Sequence, residues 1–184
     1  MKPDVAAWRQ DLKVNAGRSG WSGAARGWLA NPGFAVVTLY RLSARFRRGG
    51  GGLSLLSLLF WRRNVKSYGC YLAPSARIGP GLRLPHPVAV VVGEGAVIGS
   101  NVTLYQGVTL GRSNDVSEAY PVLEDEVTVY AGAVLVGGIT VGRGAVVAAN
   151  AVVLADVPPY ATAVGAPARM LSASRAAPTG PARS

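Results

Sequence analysis

An aliphatic residue returns every six positions through the second half of this chain. The series runs Val92, Ile98, Leu104 and Leu110, breaks for one insertion, and resumes as Leu123, Val129, Leu135, Val141, Val147 and Val153. Ile78 and Leu84 belong to the same pattern. A period of six fits neither a helix nor a plain strand. It is the period of a parallel β-helix, in which each hexapeptide supplies one short strand and one turn, and three hexapeptides close a triangular coil. Twelve slots predict about four coils, enough for neighbouring coils to bury each other's aliphatic ladder. Small or β-branched residues four places on (Val102, Val108, Ala133, Ile139, Ala145, Ala151) suit the inside of a narrow prism. An ordinary β-sandwich rich in Val and Gly would not keep so strict a phase.

The chain has 184 residues, 49% of them apolar, so one domain with an appendage can bury a core without disulfides. The single cysteine, Cys70, has no intramolecular partner, which points to a reducing compartment. No apolar signal segment opens the sequence. The longest apolar run, Leu53 to Trp61, is half of what spans a bilayer. The net charge of +10 is uneven. Residues 1–70 hold 12 Lys/Arg and 2 Asp, whereas residues 71–170 hold 5 Arg and 7 Asp/Glu. The repeat is near neutral, and the basic character belongs to the N-terminal part.

That N-terminal part, residues 1–70, reads as helical. Asp4 caps a helix to about Lys13, and a short helix over 24–30 stops at Asn31-Pro32-Gly33. An amphipathic helix covers 34–47, Gly49–Gly52 forms a joint, and a last helix covers 53–68. The β-helix is expected over 71–171, and residues 172–184, rich in Ala, Pro and Ser, read as a disordered tail. The basic helices suit packing on the prism or contact with an anionic membrane. No motif supports nucleic-acid binding.

Two places break the repeat. Leu84 to Val92 spans eight residues, not six, and this slip holds His86, the only histidine, between Pro85 and Pro87. A lone histidine is more often structural, but regular scaffolds break their own rules at functional sites. The second break, residues 111–121, is polar and reads as a loop, either a solvated insertion or the wall of a groove.

The segments Pro74-Ser75-Ala76-Arg77-Ile78-Gly79, Leu84-Pro85-His86, Val91-Val92-Gly93-Glu94 and Gln106-Gly107-Val108-Thr109-Leu110-Gly111 resemble the serine acetyltransferase branch of the left-handed β-helix acyltransferases. The closing run Pro158 to Arg169 is similar to that family's C-terminal signature. The likeness covers about residues 71–171. It implies a mainly β, left-handed parallel β-helix, acetyl-CoA as donor with no metal, and a homotrimer with active sites between subunits. It implies that His86 is the general base that takes a proton from an acceptor hydroxyl. Glu94, the only nearby carboxylate in sequence, is either the group that orients it or a turn residue facing solvent, with a backbone carbonyl or Tyr71 as the other candidates. It also implies oxyanion donors at the Gly111 corner, Gly111 and Arg112 among the cofactor-binding residues, and a pantetheine path past Ala131 and Ala149. Arg143 and Arg169 are the candidates for the CoA phosphates, Arg169 being equally placed as a C-terminal salt-bridge residue.

The chain departs from the serine enzymes on the acceptor side. Tyr71 and Pro85 stand where aspartates are expected, and Ala119-Tyr120 where an Arg-His pair holds the serine carboxylate. Leaving a charged amino acid without partners is costly. The sequence therefore favours a sugar hydroxyl as acceptor, with Tyr71 and Tyr120 lining its site, as in the exopolysaccharide (colanic-acid type) O-acetyltransferases. Serine O-acetylation and a non-catalytic scaffold are the alternatives. The expected location is cytoplasmic, with peripheral contact at the inner face of the membrane.

Overall fold

The computed structural model describes residues 5–113 and 118–171. The helix cap at Asp4, the centre of the second insertion and the tail 172–184 lie outside them. Four helices come first: α1 (Val5–Ala16), α2 (Gly20–Ala30), α3 (Pro32–Gly49) and α4 (Leu53–Tyr68). Short strands follow from Tyr71 onwards. They are β1 (Tyr71–Leu72), β2 (Arg77–Ile78), β3 (Val91–Val92), β4 (Val97–Ile98), β5 (Thr103–Leu104), β6 (Thr109–Gly111) and β7 (Val122–Leu123). Then come β8 (Thr128–Val129), β9 (Val134–Val136), β10 (Thr140–Val141), β11 (Val146–Val147), β12 (Val152–Val153), β13 (Thr162–Val164) and β14 (Arg169–Leu171).

The strands form three flat faces. Face A is ordered β1-β3-β6-β9-β12, face B β10-β7-β4-β2, and face C β14-β13-β11-β8-β5. All neighbours are parallel except β13 and β14. The chain visits A, B and C in turn, so the fold is the parallel β-helix that the period predicts, with the left hand that the resemblance implies. Register steps expose both sequence breaks. Val91 pairs with Thr109 and Thr128 with Val146, a step of 18 residues, or three hexapeptides. Tyr71 pairs with Val91, a step of 20 that absorbs the slip at His86. Thr103 pairs with Thr128, a step of 25 that absorbs the insertion. The ladder stays in phase because each surplus is confined to one corner.

Every ladder residue from Val92 to Val153 is buried. Each is the second residue of its strand, pointing inward, while its neighbour faces out. The small residues four places on (Val102, Val108, Ala133, Ala145, Ala151) are fully buried at the corners. At about 1.5–3 kcal/mol per buried Val or Leu, this ladder is the main source of stability.

The first coil would leave open backbone and apolar surface at its free end, and the helices cover both. Val36, Val37, Tyr40 and Ala44 of α3 join the same apolar cluster as the prism. Gly33 lets α3 approach the first coil, since a Cβ there would collide with the Leu84 carbonyl. Asn31 starts α3 by accepting from Phe34 N–H, with Pro32 at the first helical position. Buried Asp11 of α1 accepts from Arg41 Nε (2.9 Å) and from Gly81 N–H (2.8 Å). Arg41 also donates to the Ile78 and Gly79 carbonyls, and Tyr40 Oη donates to the Ala76 carbonyl. Asn15 bridges the Leu82 carbonyl and Leu84 N–H. Burial pushes the Asp11 carboxyl above its ordinary range, and the Arg41 and Gly81 donors pull it back only in part. Among the described residues no helix is long and apolar enough to cross a membrane.

Candidate active site

The three edges of the prism sort the candidate residues. The edge from face C to face A carries His86. Its corner is stiff for reasons legible atom by atom. Pro85 and Pro87 fix their own φ. The His86 carbonyl accepts from Val88 N–H (2.8 Å), and the Val88 carbonyl from Gly107 N–H of the next coil (2.9 Å). The Pro87 carbonyl accepts from Cys70 Sγ (3.1 Å). Ala89 is held at φ +54°, a left-handed conformation that costs a non-glycine residue about 1–2 kcal/mol. A tied, locally strained corner thus projects one exposed imidazole. Among the described residues that imidazole makes no hydrogen bond, and its nearest ring is Tyr105, with centroids 6.4 Å apart. Tyr105 stacks on Tyr130 one coil further along, at 5.0 Å. Half-buried Ala131 and exposed Ala149 continue the same edge, joined to it by the Gly132 to Gln106 and Asn150 to Ala131 backbone bonds. The structure therefore brings His86, Ala131 and Ala149 onto one line. It adds Tyr105 and Tyr130, which the repeat alone did not single out.

The edge from face A to face B carries a second group. Glu94 is exposed there, past the far end of β3 from His86. Glu94 therefore does not orient His86 within one chain: the width of face A separates them. Gly111 ends β6 at this edge, and its carbonyl accepts from Gly137 N–H. Exposed Arg112 follows it. Gly111 and Arg112 thus stand apart from the imidazole of the same chain. Tyr120 lies flat on this edge, where a Cβ on Gly93 or Gly95 would collide with its ring. Ala119 closes over Gly138 in the same way. The described flanks of the insertion lie back on the prism instead of standing off it.

Three further candidates lie away from the His86 line. Arg143 sits on the edge from B to C, where it pairs with Asp125 (2.6 Å) and Glu126 (3.3 Å). That edge is not the one that carries His86 and Ala149. Tyr71 opens face A and packs edge-on against Trp61 of α4 at 5.2 Å, so its ring serves the seam between helices and prism. Arg169 lies exposed on β14, opposite Val164 at the end of face C, with no ion pair among the described residues.

A prism of hexapeptide coils with one exposed histidine on its edge places the chain in the hexapeptide-repeat acyltransferase class. No family model matches the chain. It is 42% identical over 130 residues to the serine acetyltransferase of Haemophilus influenzae, covering 64% of this chain and 49% of that enzyme. The soybean serine acetyltransferase apoenzyme superposes with a TM-score of 0.80 at 38% identity, over 90% of this chain and 68% of that one. The same soybean enzyme is also solved complexed with serine. The Brucella abortus serine acetyltransferase in complex with coenzyme A superposes with a TM-score of 0.80 at 31% identity, over 91% of this chain and 67% of that one. The chain belongs to the serine acetyltransferase family. It spans about half the length of the Haemophilus enzyme. These relatives overturn the sugar acceptor and the exopolysaccharide assignment: the matching proteins are serine enzymes, and the departures at Tyr71, Pro85 and Ala119-Tyr120 occur within that family.

Proposed function

We propose that this protein is an acetyl-CoA-dependent serine O-acetyltransferase with His86 as its general base. The observation that carries the reading is the exposed, unbonded imidazole on a rigid corner, within a chain alike in sequence and fold to serine acetyltransferases. In its neutral form the imidazole accepts the serine hydroxyl proton as the oxygen attacks the thioester carbonyl. Collapse of the tetrahedral adduct breaks the C–S bond, and the imidazolium returns its proton to the thiolate, so that CoA leaves as the thiol and the base is regenerated. Ala131 and Ala149 keep the C–A edge low enough for an extended pantetheine arm, and Arg169 near its end is the candidate for a CoA phosphate.

Serine brings a carboxylate and an ammonium, and both need partners. Glu94 and Arg112 carry opposite charges, but on the A–B edge. A homotrimer that sets one subunit's C–A edge against the next subunit's A–B edge would gather His86, Glu94 and Arg112 into one groove. This assembly is part of the proposal.

The test is thiol release from acetyl-CoA on addition of L-serine, with wild type and His86→Ala. Serine-dependent release that falls about 10²–10⁴-fold in the variant supports the reading. Acetyl-CoA binding without serine-dependent release overturns the acceptor, and absence of CoA binding overturns the donor.

A further inference from the structure

Helix α4 turns little of itself toward the body. Ser57 and Asn64 are buried, the latter donating to the Val36 carbonyl. Phe60 stacks on Phe46, and Trp61 meets Tyr71. The opposite side is open: Leu55 is 61% exposed and Leu59 55%. Leu55, Leu59, Arg62 and Lys66 follow one another at i, i+4, i+7 and i+11, so they share one stripe, apolar in its first half and cationic in its second. Exposed Arg47 and Arg48 end α3 beside the glycine joint that leads into α4.

The charge around this stripe has one sign. Between Asp11 and Glu94 the sequence holds no Asp or Glu, and it holds 12 Lys or Arg. We propose that the outer face of α4, with the end of α3, docks onto an anionic lipid bilayer. The leucines enter the acyl boundary while Arg62, Arg63 and Lys66 meet the headgroups, the disposition of an interfacial helix. At 16 residues α4 is too short to span, so it lies in the plane of the interface. A second copy is a poor occupant: a parallel two-fold pairing of this stripe sets cations against cations, an antiparallel one over its length sets cations against leucines, and residues 12–93 hold no acid to relieve either. Nucleic acid would satisfy the cations and leave the leucines without a counterpart.

The test is sedimentation of the full chain with vesicles of phosphatidylcholine alone and of phosphatidylcholine mixed with phosphatidylserine. Binding is expected only to the mixed vesicles, weakening as salt is raised. Each cation near an anionic surface contributes about fivefold, so Arg62→Ser with Arg63→Ser should lower partitioning about 25-fold. Leu55→Ser with Leu59→Ser should abolish it while the sedimentation mass and helical circular dichroism stay unchanged. Equal binding to both vesicles, or to neither, overturns the proposal. So does a fall in oligomeric mass in the leucine variant, which would make the stripe an interface between copies. None of these readouts depends on catalysis.

Discussion

Asp11→Ala tests whether the helices hold the first coil through a buried ion pair. The Asp11 carboxylate is fully buried and accepts from Arg41 Nε at 2.9 Å, Arg41 Nη2 at 3.2 Å and Gly81 N–H at 2.8 Å. Truncation leaves the Gly81 N–H unpaired and the guanidinium without its counter-charge. Breaking one side of a buried pair costs about 3–5 kcal/mol. Arg41 is 18% exposed and keeps its two carbonyl acceptors, so the lower end applies, about 3 kcal/mol. For a chain of this length that lowers Tm by about 6–12 °C. Scanning calorimetry at fixed protein concentration reads the shift. Replacing both partners, Asp11→Leu with Arg41→Met, should recover most of the loss, since a buried pair is costly to make as well as to break. The sign with pH follows from the same burial. The folded-state pKa of Asp11 is raised, so the folded protein holds that proton more tightly than the unfolded chain. The contribution of this site is greatest below the unfolded value and falls as pH rises through the folded one. Asp11→Asn should remove that slope. A Tm change under about 2 °C in Asp11→Ala would refute the reasoning and leave apolar contact alone to seat the helices.

Five other outcomes are expected. Ala89→Gly should raise stability by about 1 kcal/mol in urea unfolding, because glycine removes the cost of φ +54°. Gly93→Ala should cost about 1–3 kcal/mol by forcing the Tyr120 ring off its edge, and increased protease cleavage within 112–120 would report the displacement. Cys70 is fully buried, donates to the Pro87 carbonyl, and burial pushes its thiol pKa up, so it should resist a disulfide reagent at pH 8 until the protein unfolds. Ala149→Trp should raise KM for acetyl-CoA at least tenfold with little change in Tm, whereas Arg143→Ala should leave that KM unaltered and cost under about 1 kcal/mol, as exposed pairs do.

The fold was legible because its rule is one-dimensional. A strict six-residue phase names the inward residues from Val92 to Val153, and burial agrees at each of them. The helices were legible in place and less so in their ends. The helix expected over 34–47 runs Pro32–Gly49, since proline at the first turn starts a helix and Gly50, at φ +63°, stops it. Their attachment was not legible. Asp11 with Gly81, and Asn15 with Leu84, join residues about seventy apart, and no local pattern announces such a pair.

The edge that each candidate residue occupies is legible in the sequence only through arithmetic over a whole coil. In a three-sided coil, residues on one edge recur at 18, corrected by two at the His86 slip and by seven at the insertion. Arg143 less 18 is Asp125, the carboxylate that holds it. Ala149 less 18 is Ala131, on the His86 edge. Tyr130 less 25 is Tyr105, its stacking partner. Glu94 plus 18 is Arg112, which puts the two opposite charges together on the A–B edge and apart from His86. Hexapeptide phase tells inside from outside, but only the count modulo a whole coil tells which edge a side chain occupies. Applied to the acceptor, that count gives a sharper demand than any single residue does. If His86 acts with Glu94 and Arg112, it must act across a subunit boundary. Mixing His86→Ala with Arg112→Ala subunits should then restore serine-dependent turnover, to about a quarter of the wild-type rate for random trimers with independent grooves. No recovery in verified mixed trimers would confine the chemistry to one chain's own edge.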